Sequence, residues 1–389
     1  MSPRENRTDE TEFFFKLTPE RVLEAVEAGG FAPTGHWQIL NSLENRVYDL
    51  RIFGDSESEA SDAPGGPDPD QGGPHIEDAG ERHVIVKFYR PGRWSADQIL
   101  EEHSFLNELH AAEIPVCYPM EFPGGGTLRE TEGIFFAIWP RTGGRPCDEL
   151  GEEQAAILGR LVARIHNVGE AYPARHRLTL TPDLYAHQPL DYLERHEFLP
   201  VHLAKRYRAA VETTVEYYNM LIKDVPLIRI HGDCHAGNLL NAGQGWFFLD
   251  FDDFLTGPAV QDLWMLLPAR DPHSLRLREI FLEEYRRFRD FPEHWLRLIE
   301  PLRALRFIHY AAWVARRWED PAFPAALPHF GTIDYWENET RDLEEQVERF
   351  GDENPELSTS SGPAADGGAA EELTNKDFFW DWDDSEKPD

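Results

Sequence analysis

The chain has 389 residues, 41% of them hydrophobic, and carries 38 lysines and arginines against 71 aspartates and glutamates, a formal net charge of −33. That length supplies a sizeable core and favours two lobes over one, while a field of this sign repels phosphate backbones and excludes nucleic acid as the expected partner. No apolar run reaches the roughly 20 residues that span a bilayer, so no membrane partner is expected, and three scattered cysteines, Cys117, Cys147 and Cys234, fit a reducing cytoplasm and a cytoplasmic protein.

In chain order, Thr18-Pro19-Glu20 opens a helix through Val22, Leu23 and Val26 that Gly29-Gly30 ends. Trp37 to Leu50 reads as strand, turn and strand, with Leu43-Glu44-Asn45-Arg46 at the turn. Residues 54–83 hold nine acids, one arginine and almost nothing to bury, and read as a disordered acidic insertion in a hairpin. Val84-Ile85-Val86-Lys87-Phe88-Tyr89 follows as a buried strand with one lysine. Lys87 is either a phosphate-binding lysine or an ammonium that snorkels from a strand edge. Ser95 to Leu109 forms a helix with Ile99, Leu100, His103, Leu106 and Leu109 inward. Glu101 and Glu102 both fall on it; Glu102, heading E-x-x-x-L-x-x-L, is the preferred partner of Lys87.

Ile134 to Trp139 is another apolar strand, and Pro140-Arg141-Thr142-Gly143-Gly144 breaks it where a hinge between lobes belongs. From Glu152 the chain turns helical, with further helices over about 202–223, 259–268, 273–289 and 295–318, on which Trp264, Trp295, Trp313 and Trp318 read as core. Residues 351–389, with twelve acids and two lysines, read as a disordered acidic tail. Within it Asp377-Phe378-Phe379-Trp380-Asp381-Trp382 mixes aromatics with acids, and Ser358, Ser360 and Ser361 are accessible hydroxyls.

The segment that carries chemistry is His231-Gly232-Asp233-Cys234-His235-Ala236-Gly237-Asn238, with Asp250 beyond it. Leu227-Ile228-Arg229-Ile230 is a strand delivering this loop, and a hairpin through Asn241-Ala242-Gly243-Gln244-Gly245 returns the chain to Asp250. Phosphoryl transfer needs a carboxylate at the attacking hydroxyl and oxygen ligands that hold magnesium on the nucleotide phosphates. Asp233 is the expected catalytic base, and Asn238 and Asp250 the expected Mg2+ ligands. The spacing of Asp233 and Asn238 matches the D-x-x-x-x-N of the protein-kinase catalytic loop, with Gly232 where those enzymes have arginine, and Asp250 stands where their D-F-G aspartate would. Asp250-Phe251-Asp252 replaces D-F-G, so Asp252 or Asp253 is either a second aid to the metal or part of a hydrogen-bonding turn.

Several longer blocks carry a closer resemblance. Leu40-Asn41-Ser42-Leu43-Glu44-Asn45-Arg46-Val47-Tyr48, Val86-Lys87-Phe88-Tyr89-Arg90-Pro91, Asp97-Gln98-Ile99-Leu100-Glu101-Glu102-His103, Gly257-Pro258-Ala259-Val260-Gln261-Asp262-Leu263-Trp264 and Glu300-Pro301-Leu302-Arg303-Ala304 are similar to the bacterial stress response kinase A family, of the aminoglycoside-phosphotransferase/choline-kinase type. The resemblance covers about residues 15–345. It implies an α+β, bilobal protein-kinase-like fold: an N-lobe over 1–139, small and mainly antiparallel β, a mainly α-helical C-lobe over 140–350, and the tail 351–389. It also implies a monomeric, cytoplasmic Ser/Thr protein kinase tied to stress responses and dependent on ATP and Mg2+, with Asp233 as proton acceptor, Asn238 and Asp250 on magnesium, Ser42 at the nucleotide, and Lys87 and Glu102 as an ion pair. Residues 40–48 contain no glycine, so a Gly-rich phosphate loop is absent and Ser42 takes its place in the expectation. Two readings stand beside this one. The same chemistry would serve a small-molecule acceptor, such as an amino alcohol, sugar or aminoglycoside, and an acidic chain suits a cationic one; a pseudokinase scaffold would lack Lys87, Asp233, Asn238 or Asp250, and all four are present.

Overall fold

The computed structural model of the chain describes residues 14, 17–40, 44–54, 80–147, 150–243 and 245–351. Ser42, residues 55–79 of the insertion and the tail from 352 lie outside the described residues. In chain order the strands are β1 (Pro33–Leu40), β2 (Arg46–Phe53), β3 (Glu81–Phe88), β4 (Arg129–Thr131), β5 (Ile134–Pro140), β6 (Arg145–Pro146), β7 (Leu227–Ile230), β8 (Leu239–Asn241), β9 (Trp246–Phe248) and β10 (Leu255–Pro258). The α-helices are α1 (Pro19–Ala28), α2 (Ala96–Ala111), α3 (Glu152–Ala171), α4 (Gln188–Arg195), α5 (Val201–Leu221), α6 (Val260–Leu266), α7 (Pro272–Tyr285), α8 (Ile299–Arg316), α9 (Ala322–Ala326) and α10 (Ile333–Glu348). The chain divides into two compact units, Met1–Pro146 with Leu239–Asp252, and Cys147–Asn238 with Asp253–Asp389.

The first unit holds an antiparallel sheet of order β1-β2-β3-β5-β4. Alternation along β3 sends Val84, Val86 and Phe88 to one face, where they pack with Leu50, Ile52, Phe136, Ile138 and with Val22 and Val26 of α1. Ile85, Lys87 and Tyr89 fall on the other face, beside Ile99, Ala137 and Trp139. Each large aliphatic or aromatic side chain so buried contributes about 1.5–3 kcal/mol. The strand starts at Glu81, inside the stretch expected to be disordered. The β2–β3 ladder runs on to Phe53 opposite Glu81, Gly54 N donates to Gly80 O at 2.5 Å, and His83 Nδ1 lies 2.7 Å from Asp49 Oδ1. Backbone pairing asks for no apolar side chain, so composition alone placed the insertion's end too late.

Helix α2 opens on a capping box in which Ser95 and Gln98 satisfy each other's backbone N–H groups. Its inward stripe is Ile99, Glu102, His103, Phe105, Leu106 and Leu109. Leu100, expected inward, is 44% exposed; one position on from Ile99 is about 100° around the helix, and Phe105 fills the core in its place.

In the second unit β7 and β10 form an antiparallel ladder with Ile230 opposite Leu255. Helix α3 lies so close to β7 that a Cβ on Gly169 would sit 2.0 Å from the Arg229 carbonyl oxygen, which only glycine permits. Helices α4 and α10 and a π-helical turn over Asp183–His187 have no counterpart in the sequence reading. Along α8 nearly every side chain is buried, and only His309, Trp313 and Arg316 are half-buried. Near its start Glu300 accepts from Arg270 Nε at 3.2 Å and Nη2 at 2.8 Å, and from the Gln346 side-chain amide. No described helix is long and apolar enough to cross a membrane.

Burial opposes the Glu300 charge, yet the Arg303 and Arg270 guanidiniums outweigh it and hold the carboxyl at about 2. A depressed carboxyl contributes stability that is whole above its unfolded value, near 4.5, and is lost as pH falls through about 2. Between those limits Glu300→Gln is expected to flatten the acid limb of the stability–pH curve by up to ~3 kcal/mol. Urea melts of both proteins across that window check it; parallel curves would remove Glu300 from the acid response.

Candidate active site

In the second unit, β7 ends at Ile230 and passes directly into the loop. His231 N and Gly232 N donate to Asp262 Oδ2 and Oδ1, each at 2.9 Å, and His166 Nε2 stands 3.0 Å from the same carboxylate, with its Nδ1 2.9 Å from the Tyr285 hydroxyl. His231, His166 and Asp262 are at most 1% exposed. The loop is thus fastened from beneath by one buried acid on α6. Gly232 has φ +83, and a Cβ there would lie 2.4 Å from the Asp253 carbonyl oxygen, so the position where protein kinases carry arginine admits no side chain in this backbone.

Asp233 follows, buried at 8% exposure. Its Oδ1 accepts from Arg306 Nη2 of α8 at 2.9 Å, and His235 Nε2 lies 3.4 Å from its Oδ2. A short 3-10 turn, Ala236–Asn238, folds the chain back so that Asn238 Nδ2 donates to the Asp233 carbonyl at 3.0 Å. Burial raises the carboxyl's pKa, but the charges of Arg306, His235 and His231 override it and hold Asp233 well below the usual carboxylate range. Cys234 is buried, and burial pushes its thiol well above the ordinary value, which makes it an inert packing group.

In the first unit, the β8–β9 hairpin pairs Leu239 with Phe248 and leads to Asp250, which has φ +51 and a side chain 43% exposed. Aspartate tolerates this left-handed conformation better than most residues. Lys87 Nζ lies 2.8 Å from Asp250 Oδ1 and 3.2 Å from Asp252 Oδ1, under the Tyr89 ring at 5.1 Å. Burial disfavours the ammonium, and the Asp250, Asp252 and Glu102 carboxylates outweigh burial and hold its pKa above the usual lysine value. Glu102 is 2% exposed whereas Glu101 is half-buried, and Glu102 acts on Lys87 through its charge while the two aspartates make the close contacts. Asp252 is 2% exposed and takes Arg93 Nη1 at 2.5 Å and Asn45 Nδ2 at 3.2 Å, which makes it a structural clamp. A cavity of this unit lined by Arg21, Glu24, Arg129 and Glu132 contains none of these residues.

Asn238 and Asp250 offer hard oxygen ligands. Asn238 turns its amide nitrogen to Asp233, so its Oδ1 is the atom left for a cation. Among the described residues no three His, Cys, Asp or Glu side chains come together as a metal cage. Asn238 and Asp250, one in either unit, each carry the kind of hard oxygen that magnesium takes alongside substrate phosphates. Lys87→Met is expected to weaken nucleotide binding about tenfold or more and, by leaving buried carboxylates short of a counter-ion, to cost roughly 3 kcal/mol. Titration with a fluorescent ATP analogue and urea melts check both; unchanged affinity would remove Lys87 from the nucleotide site.

Sequence reasoning missed Asp262 and Arg306. The signal was charge inside largely apolar stretches: Asp262 within Val260–Leu266, and Arg303 and Arg306 within Leu302–Phe307. Such a residue needs a buried partner.

Fold and loop together define a phosphotransferase, and the model of the phosphotransferase enzyme family matches residues 75–300. The chain is 36% identical over 335 residues to stress response kinase A of Escherichia coli K12, covering 86% of this chain and 94% of that one. It is 36% identical over 339 residues, with the same coverage, to the serine/threonine protein kinase RdoA of Salmonella typhimurium LT2. The chain belongs to the stress response kinase A family of phosphotransferases. Among solved structures it resembles the amicoumacin kinase hAmiN in complex with AMP-PNP, Ca2+ and Ami, with a TM-score of 0.64 and 17% identity over 87% of this chain and 95% of that one, which shows a shared kinase-like fold.

Proposed function

We propose that this kinase transfers the γ-phosphoryl group of ATP to Ser/Thr hydroxyls of protein substrates, as a cytoplasmic enzyme of a stress response. The observation that carries the reading is Asp233: a buried carboxylate at a strand end, held between Arg306 and Asn238 on a loop fastened by Asp262. The Ser/Thr specificity is supported by the name of the Salmonella relative. In the reaction the acceptor oxygen bonds to the γ-phosphorus, the bond from that phosphorus to the β,γ-bridging oxygen breaks, and ADP leaves. Asp233 orients the attacking hydroxyl and receives its hydrogen bond. Because Arg306 lowers its basicity, it accepts the proton only as the phosphorus–oxygen bond forms, as a loose transition state allows. Lys87 fixes the phosphates, and Asn238 and Asp250 supply the oxygens for magnesium, which neutralises developing charge when bound.

A small-molecule acceptor is the second reading, favoured by the fold shared with an amicoumacin kinase. Incubation of the purified protein with labelled ATP, Mg2+, a protein mixture and a panel of amino alcohols, sugars and aminoglycosides separates the two. Label in protein supports the first; label only in small molecules overturns it.

A further inference from the structure

The half-open face of α8 begins at the proposed base. Arg306 grips Asp233, and His309, Trp313 and Arg316 follow at helical spacing as the part-exposed residues of an otherwise buried helix, with Arg317 capping its end. Tyr185, from the π-helical turn Asp183–His187, stacks on His309 with centroids 4.4 Å apart. Single π-turns recur at functional sites. Arg317 lies 4.4 Å over the Trp313 ring, and Arg316 lies 5.2 Å over Tyr192. The result is a strip of alternating guanidinium and aromatic groups running away from Asp233. His309 registers its sign: after burial, the charges that depress its imidazole to about 3 are those of Arg316, Arg306 and Arg317.

We propose that this strip is the acceptor-binding surface and that it selects an acidic polypeptide segment around the Ser/Thr hydroxyl. The inference rests on the protein-kinase reading. Three physical points carry it. A positive, aromatic surface complements carboxylates and repels amino alcohols and aminoglycosides, the substrates that net charge alone would favour. The ten steps from Arg306 to Arg316 span about 15 Å of helix, the reach of about four or five extended peptide residues. Finally, the acidic field of the whole chain is screened within about 8–10 Å at physiological salt, so charges in contact with the acceptor set the preference.

Steady-state kinetics on one Ser-centred peptide, flanked in turn by acidic, neutral and basic residues, tests this. The acidic peptide is expected to lead the basic one by about tenfold or more in kcat/KM. In the variant carrying Arg316→Gln and Arg317→Gln the lead is expected to disappear through KM. Retained ATP binding and an unshifted urea midpoint show that this variant is folded; the milder Arg316→Gln alone halves the lead if it is not. Equal use of the three peptides, or preference for the basic one, overturns this inference and leaves the protein-kinase reading intact. Label entering small molecules and no peptide overturns both.

Discussion

Asp262→Ala is expected to loosen the loop that carries Asp233 and to remove a large share of the enzyme's stability together with its activity. Asp262 is 1% exposed and accepts from the backbone N–H groups of His231 and Gly232 while facing His166 Nε2. Alanine strips those buried donors of their acceptor at about 1–3 kcal/mol each. The sum over the two backbone donors, about 2–6 kcal/mol, is a large share of the roughly 5–15 kcal/mol that holds a typical domain together. Asp262→Asn keeps one acceptor oxygen but turns an amide N–H toward a donor, so it is expected to fall between the two. Urea unfolding and kcat measured on the same preparations check this. A stability within about 1 kcal/mol of wild type would show that water or a neighbour replaces the carboxylate.

Asp233→Asn is expected to cut kcat by about 10²–10⁴ while leaving ATP affinity nearly unchanged, since it removes the group proposed to receive the hydroxyl's hydrogen bond. It also strips Arg306, 8% exposed, of its counter-charge. Breaking one side of a buried pair costs about 3–5 kcal/mol, whereas replacing both sides with apolar groups is often neutral. Asp233→Asn combined with Arg306→Met should therefore recover much of the stability and none of the activity. A double variant as unstable as the single one would mean that the ion pair is not what the stability depends on. The comparison separates a catalytic loss from a folding loss, which the single variant alone leaves entangled.

The legible parts of this molecule were those whose physics is local. The apolar run Val84–Tyr89, read as a buried strand carrying one lysine, falls in β3, and the strand–loop–hairpin punctuation around Asp233 and Asp250 reappears as β7, β8 and β9. The reading failed where an element is fixed by partners distant in sequence. Asp262 and Arg306 act on residues 30 or 73 positions away, and no local pattern announces such contacts. Glu81 joins a strand because Phe53 pairs with it, against its own composition. Helix α10 buries Trp336, Glu339, Thr340, Leu343 and Gln346, a stripe in which polar residues outnumber apolar ones. The sign of the acceptor surface was hidden for the opposite reason. Net charge is dominated by acids elsewhere, more than half of the excess lying in residues 54–83 and 351–389, while Arg306, Arg316 and Arg317 gather only when α8 folds.

Under the proposed function a protein hydroxyl, oriented by Asp233, receives the phosphoryl group. The most direct test is to incubate wild type and Asp233→Asn side by side with γ-labelled ATP and a protein acceptor, then acid-hydrolyse the protein and separate the phosphoamino acids. Labelled phosphoserine or phosphothreonine is expected from wild type and almost none from Asp233→Asn with nucleotide still bound, as the proposed function requires. Equal labelling by both proteins, or label recovered only outside the protein fraction, would contradict it.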